Sequence, residues 1–228
     1  MSSGWRTRLR QALQSSHKYV CGTRHASTLL QGRSACHNAG MSTHSHLLWH
    51  EVDSEPVLDG KIFQLVRSHR RSEDGRSTDY MMVDCPDWAN VIAVVPNETG
   101  EDCFLMVRQF RQGGNCLTLE FPGGMVDENE DQALAALREL AEETGYVADR
   151  VEHIGRTNPN PAFMTNSVHT YVAHGVRRNG GQSLDENELV DVELVPCAKV
   201  LNGLLPEFFA HGIMIIALHW YVRWLARS

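Results

Sequence analysis

GMVDENEDQALAALRELAEETGY, residues Gly124 to Tyr146, is the stretch on which the reading of the chain turns. Gly124 is followed by five residues and Glu130, then by seven residues and Arg138-Glu139-Leu140-Ala141-Glu142-Glu143-Thr144-Gly145, which predicts a loop running into a helix. At about 3.6 residues per turn, Glu139, Glu142 and Glu143 stand at i, i+3 and i+4 and share one face. The opposite face, Ala133, Leu134, Leu137, Leu140 and Ala141, is expected to be the apolar stripe that docks on a core. Like charges at this spacing repel by roughly tenths of a kcal/mol per pair unless something neutralises them. A hard divalent cation with oxygen ligands, Mg²⁺ or Mn²⁺, is the natural partner. A merely solvated acidic face is the plainer alternative, but it gives no reason for the Gly123-Gly124 pair or for Arg138 beside Glu139.

Strand-like segments flank this stretch on both sides. Ahead of it they cover 47–52, 62–68 and about 79–85, separated by polar breaks at Asp59-Gly60 and Ser72 to Ser77. Asn90 to Val95, Cys103 to Phe110 and Leu117 to Phe121 follow, the last leading through Pro122-Gly123-Gly124 into the acidic loop. Beyond the helix, strands are expected near 151–156, 167–173 and 189–195, and helices over 197–204 and about 211–226. Strands, one helix, more strands and terminal helices suggest a mixed sheet with helices on both faces. Phe208 to Val222 runs fifteen residues without Asp, Glu, Lys or Arg. A membrane span needs about 20 apolar residues, and this run contains His211, Gly212 and His219, so a buried terminal helix is the better reading.

The 228 residues, 42% apolar and 21% charged, suit one α/β or α+β domain with extensions. The net charge of −7 is uneven: residues 1–50 hold six Lys/Arg and no acid, leaving 15 − 28 = −13 on the rest. An acidic body argues against a general nucleic-acid surface. The six cysteines form no CxxC pair, so neither a zinc site nor a disulfide framework is suggested, and a reducing compartment is the default. The first forty residues are rich in Ser, Arg and His and are expected to be disordered, with Trp5, Leu9, Ala12 and Leu13 able to line a short helix. Three readings stay open for them: a mitochondrial presequence, a basic arm without function, or an over-extended start ahead of Met41. The expected location is cytoplasmic, or the mitochondrial matrix if residues 1–40 are a presequence. The organisation is then an arm over 1–46, a β-subdomain over 47–86 and a main domain over 87–228.

Gly124, Glu130, Arg138, Glu139, Glu142, Glu143 and Gly145 match the charged and glycine positions of the Nudix box, and the stretch resembles that box. Where the box asks for a bulky aliphatic residue after its last glycine, this chain has Tyr146 and then Val147, a departure that touches packing and not chemistry. The resemblance implies an α/β/α sandwich with a mixed sheet, preceded by a small N-terminal antiparallel sheet. It also implies a Mg²⁺- or Mn²⁺-dependent hydrolase of nucleoside diphosphates linked to another moiety. By the family pattern Glu139, Glu142 and Glu143 hold metal, with the Gly123 carbonyl as a further ligand. Arg138 orients a glutamate, although a charge-paired structural role fits it equally, and Glu130 shapes the loop.

Outside the box, Val107-Arg108-Gln109-Phe110-Arg111 followed by Leu119-Glu120-Phe121-Pro122-Gly123-Gly124 looks like the ADP-ribose pyrophosphatase branch. There an arginine contacts the diphosphate, and Arg111 is the matching position; a solvated strand-end arginine is the alternative. In Leu184-Asp185-Glu186-Asn187-Glu188, Glu186 matches the branch's catalytic base and Glu188 is an auxiliary candidate; either is equally readable as an inert acid on a polar loop. Ile215 to Trp220 resembles the branch's closing helix. The branch's Ser-Pro-Gly-x-Ser-x-Glu segment reads Asn160-Pro161-Ala162-Phe163-Met164-Thr165-Asn166 here. Its serines are absent and Asn166 replaces the glutamate, so Asn166 either binds ligand or caps the loop and cannot act as a base. The branch's N-terminal sheet dimerises, which implies a homodimer, with a small-molecule diphosphate as the other partner and neither nucleic acid nor membrane. ADP-ribose is the foremost substrate. Coenzyme A, dinucleoside polyphosphates and nucleotide cofactors are the alternatives, as is a sensor that binds such a ligand without cleaving it.

Overall fold

The computed structural model describes residues 44–227. The expectations for the arm, including Trp5 to Leu13 and the presequence, fall outside the described residues. A single 3₁₀ turn, Ser45–Leu47, leads into a three-stranded antiparallel sheet ordered β1 (Trp49–Asp59), β2 (Gln64–Ser72) and β3 (Ser77–Asp84).

The body is a seven-stranded mixed sheet. Its strands are β4 (Trp88–Pro96), β5 (Asp102–Arg111), β6 (Cys116–Glu120), β7 (Gly123–Met125), β9 (Arg150–Thr157), β10 (Val168–His174) and β12 (Val190–Pro196). The order across it is β12-β5-β4-β10-β9, with β6 on β5 and β7 on β4. The β4–β10 pair is parallel and the other pairs are antiparallel. Two short strands, β8 (Tyr146–Val147) and β11 (Arg177–Arg178), pair separately.

Strand alternation explains why helices cover both faces. Ala89, Val91, Ala93 and Val95 of β4 pack with Ala135, Ala136 and Leu140 of α1 (Gln132–Thr144). Ile92 of β4 turns the other way and joins Phe104, Phe121, Met214, Ala217, Tyr221 and Leu225, the last four-residue set belonging to α4 (Gly212–Arg227). Two shorter helices, α2 (Cys197–Leu201) and α3 (Pro206–Phe209), lead into α4. This is the expected α/β/α sandwich with its small N-terminal sheet. No helix among the described residues is long and apolar enough to cross a membrane, and Cys85, Cys103, Cys116 and Cys197 form no disulfide among the described residues.

Helix α1 begins and ends as its sequence dictates. The Asp131 carboxylate accepts the Ala133 and Leu134 N–H groups at 2.9 and 3.3 Å, satisfying donors that the first turn leaves over. Gly145 ends it in the left-handed region at φ 71°, and a Cβ there would also lie 2.5 Å from the Gly180 carbonyl. The expected apolar stripe needs correction: Leu134 is 59% exposed, and the buried positions are Ala135, Ala136, Leu140, Glu143 and Thr144. The helix is rotated so that Leu140 and part of the carboxylate face, and not the whole far side, meet the sheet.

Gly155 of β9 lies under α4, where a Cβ would overlap the Trp220 indole. Gly155→Ala therefore forces a ring or helix displacement and is expected to cost about 1–3 kcal/mol in urea unfolding. An unchanged midpoint is the contrary outcome.

Candidate active site

Strand β4 changes neighbours along its length, and the site lies at that change. Trp88, Ala89 and Asn90 pair with Met125, Gly124 and Gly123, whereas Ala93 to Pro96 pair with β5. Between them Val91 N–H donates to the Pro122 carbonyl at 2.9 Å. A cleft of about 320 Å³ opens at this fork. Close approach of backbone requires Gly123, where a Cβ would sit 2.7 Å from the Asn90 Cα, whereas a Cβ on Gly124 would displace only the Glu139 carboxylate.

Glu139, Glu143, Gly123 and Arg138 line this cleft, and Glu142 stands just outside its lining. Glu143 is 4% exposed, and its carboxylate accepts only the Gly123 N–H, at 2.8 Å. Burial pushes its pKa from 4.5 to about 8, with the charges of Glu139 and Glu188 acting in the same direction. Burial raises Glu139 as well. Arg138 is the hub of the acidic face. It donates to both Glu130 oxygens at 3.0 Å, to Glu139 at 2.9 Å, to Glu142 at 3.0 Å and to the Met125 carbonyl at 3.0 Å. The guanidinium thus draws Glu139 and Glu142 to itself. Among the described residues no three His, Cys, Asp or Glu side chains stand close enough together to hold a metal as they are placed. The donor chemistry nevertheless fits a divalent cation: hard oxygen donors, among them one deeply buried carboxylate with a single N–H to satisfy it.

The facing wall carries a second charged pair. Arg111 donates two parallel hydrogen bonds to Glu120, at 2.7 and 2.6 Å, and Thr118 Oγ1 donates a third at 2.5 Å. Burial alone would raise Glu120, whose side chain is 1% exposed, but Arg111 and Thr118 hold it below the usual carboxylate range. Neither sequence reading of Arg111 described this: it lines the cleft, yet its first partner is a buried carboxylate. His211, at the start of α4, has Nε2 3.7 Å from Glu120, and burial lowers its pKa. Asn90 is 3% exposed and also lines the cleft. Sequence reasoning missed Glu120, His211 and Asn90. Only Glu120 gave a signal, as an acid on the face of Leu117 to Phe121 that alternation assigns to Thr118.

The loop between β11 and β12 closes one side. Asn179 and Gly180 N–H donate to the Gly145 carbonyl, Ser183 N–H to that of Glu142 at 2.8 Å, and Gln182 Nε2 to those of Glu143 and Val190 at 2.7 and 2.9 Å. These bonds carry Asp185 and Glu188 to the cleft wall, while Glu186 is exposed and lies outside it. Asn166, 2% exposed, lies elsewhere: it lines a cavity shared by the two sheets with Ser68, Arg70 and Arg156.

The NUDIX domain model matches residues 87–215, which includes the fork, the acidic helix and the loop of Glu188. The chain belongs to the Nudix family. This Nudix protein is 31% identical over 170 residues to the methanol dehydrogenase activator of Bacillus methanolicus, covering 74% of this chain and 90% of that one. It is likewise 31% identical over 152 residues to the ADP-ribose pyrophosphatase of Bacillus subtilis, covering 66% and 80%. Among solved structures an ADP compounds hydrolase shares the fold, with a TM-score of 0.65 at 22% identity, covering 78% of this chain and 94% of that one. The chain is accordingly a Nudix pyrophosphohydrolase, from a family that generally uses divalent metals.

Proposed function

We propose that this Nudix hydrolase cleaves the pyrophosphate bond of ADP-ribose, or of another nucleoside diphosphate sugar, to a nucleoside monophosphate and a sugar phosphate. The observation that carries the reading is the single cleft whose one wall holds Glu139 and Glu143 beside the Gly123-Gly124 turn, and whose other wall holds Arg111 and Glu188. The name of the Bacillus subtilis relative points the same way. Glu139, Glu142, Glu143 and the Gly123 carbonyl would hold Mg²⁺ or Mn²⁺, which when bound would offset diphosphate charge and acidify an attacking water.

The chain's own groups supply the rest. Arg111, anchored by Glu120, presents a fixed cation to the diphosphate. Arg138 keeps the acidic side chains in register. Glu188, which lines the cleft, is better placed than Glu186 to take a proton from water. Glu188→Gln is therefore expected to lower kcat by about 10²–10⁴-fold, and Glu186→Gln by much less. The reverse ranking would return the base to Glu186.

The N-terminal sheet supports a homodimer: Val52, Val57, Leu58, Tyr80 and Met81 are each at least 38% exposed on it. The deciding experiment is a panel of ADP-ribose, other diphosphate sugars, coenzyme A and dinucleoside polyphosphates in ¹⁸O-labelled water with Mg²⁺ or Mn²⁺. AMP and ribose phosphate as dominant products support the reading. Preference for another diphosphate replaces the substrate, and tight binding without products replaces hydrolysis with sensing.

A further inference from the structure

The segment that brings Glu188 to the cleft has no apolar anchor of its own. Asp185 to Leu189 are all exposed, and the one apolar side chain among them, Leu189, is 87% exposed. Without burial to fix it, the position of such a segment is set by its hydrogen bonds.

Two sets of those bonds are local. At the upstream end Asn179, Gly180 and Ser183 reach the carbonyls of Gly145 and Glu142 through backbone N–H groups. Inside the turn, Glu188 N–H donates to the Asp185 carbonyl at 3.0 Å, and Asp185 N–H donates to the Glu188 carboxylate at 3.2 Å. The glutamate is thus oriented against its own turn, which still has to be held against the body. One side chain does this at both ends. Gln182 Nε2 donates to the Glu143 carbonyl at 2.7 Å and to the Val190 carbonyl at 2.9 Å. The first acceptor lies in the last turn of α1, and the second opens β12, two residues after Glu188. Residues 182–190 are closed into a ring that is fastened to the helix carrying the carboxylates. A carboxamide nitrogen suits this place because it carries two N–H donors for two carbonyls, whereas a carboxylate of the same shape carries none.

We propose that Gln182 is a positioning residue for hydrolysis: its doubly donating amide holds the loop in the conformation from which Glu188 reaches the cleft. The inference rests on the proposed role of Glu188 and deepens it by naming the group through which that role is maintained.

The test measures kcat and KM for ADP-ribose, per folded molecule, in Gln182→Ala, Gln182→Glu, Glu188→Gln and the Gln182→Ala/Glu188→Gln double variant, with urea unfolding of each. Gln182→Ala is expected to lower kcat about tenfold, as loss of one or two hydrogen bonds requires. Its KM and urea midpoint should stay close to wild type, because Gln182 is an exposed residue that does not line the cleft. Gln182→Glu keeps the shape without the donors and is expected to lose at least as much. In the double variant the Gln182 change should cost no further activity, since the glutamate it positions is already disabled.

Wild-type kcat in Gln182→Glu overturns the proposal, and so does a raised KM at unchanged kcat, which would make Gln182 a binding residue. Additive losses in the double variant overturn it as well, because Gln182 would then act on something other than Glu188. Absence of wild-type turnover of ADP-ribose, or full turnover in Glu188→Gln, refutes the reading of the site and this inference together, whereas the Gln182 outcomes refute the inference alone.

Discussion

Glu143→Gln is expected to lower kcat by roughly three orders of magnitude, as loss of several kcal/mol of cation-dependent stabilisation requires, and at the same time to raise the melting temperature of the metal-free protein. Both effects come from one burial. The carboxylate is 4% exposed with a single N–H for company, so its charge is costly until a cation arrives. The pH dependence has a definite sign. With a folded pKa of about 8 against an ordinary 4.5, the folded state retains a proton between these values that the unfolded state has released. Stability of the metal-free protein therefore falls as pH rises from about 4.5 to about 8 and levels beyond, by up to a few kcal/mol. Glu139, also raised, adds in the same sense. The slope should flatten in the Gln variant and in the wild type with saturating Mg²⁺. Urea unfolding at several pH values, with EDTA and with Mg²⁺, measures this. A wild-type slope indifferent to Mg²⁺ would detach Glu143 from the metal.

Arg111→Leu is expected to destabilise the fold by about 3–5 kcal/mol, because it leaves the Glu120 carboxylate, 1% exposed, buried without its cation. Arg111→Leu combined with Glu120→Leu removes both charges and should regain most of that loss. Activity should not return with stability, since the cation facing the diphosphate is still missing. Recovery of both in the double variant would make Arg111 a purely structural residue. The double-mutant cycle thus separates the two roles, which the single variant confounds.

Much of the architecture was legible because periodicity and turn chemistry agreed with it. Except for the short β7, the strands of the body, α1 and α4 fall where apolar alternation and the spacing of the acidic stretch put them. Strand β1 was read as 47–52 but runs to Asp59. Every residue after Trp49 in it is exposed, so there is no buried face to produce alternation, and Pro56 is tolerated because β1 is an edge strand. The docking face of α1 was misplaced for a related reason: hydrophobicity assigns Leu134 to the core and Glu143 to water, and tertiary structure reverses them. The carboxylates of the helix were legible from their spacing alone. The opposite wall was not, because Arg111, Glu120 and His211 meet only through strand pairing and a helix start about a hundred residues downstream, and no local pattern marks the histidine.

The main-chain anchoring of the acidic loop separates scaffold from chemistry. The oxygens that hold Ser183 and Gln182 are the backbone carbonyls of Glu142 and Glu143, not their carboxylates. Exchanging a glutamate for glutamine leaves that tether unaltered, so Glu188 keeps its reach whatever is done to the neighbouring charges. The acids of the helix can therefore be exchanged one at a time by experiment while the backbone bonds of the loop across from them stay in place.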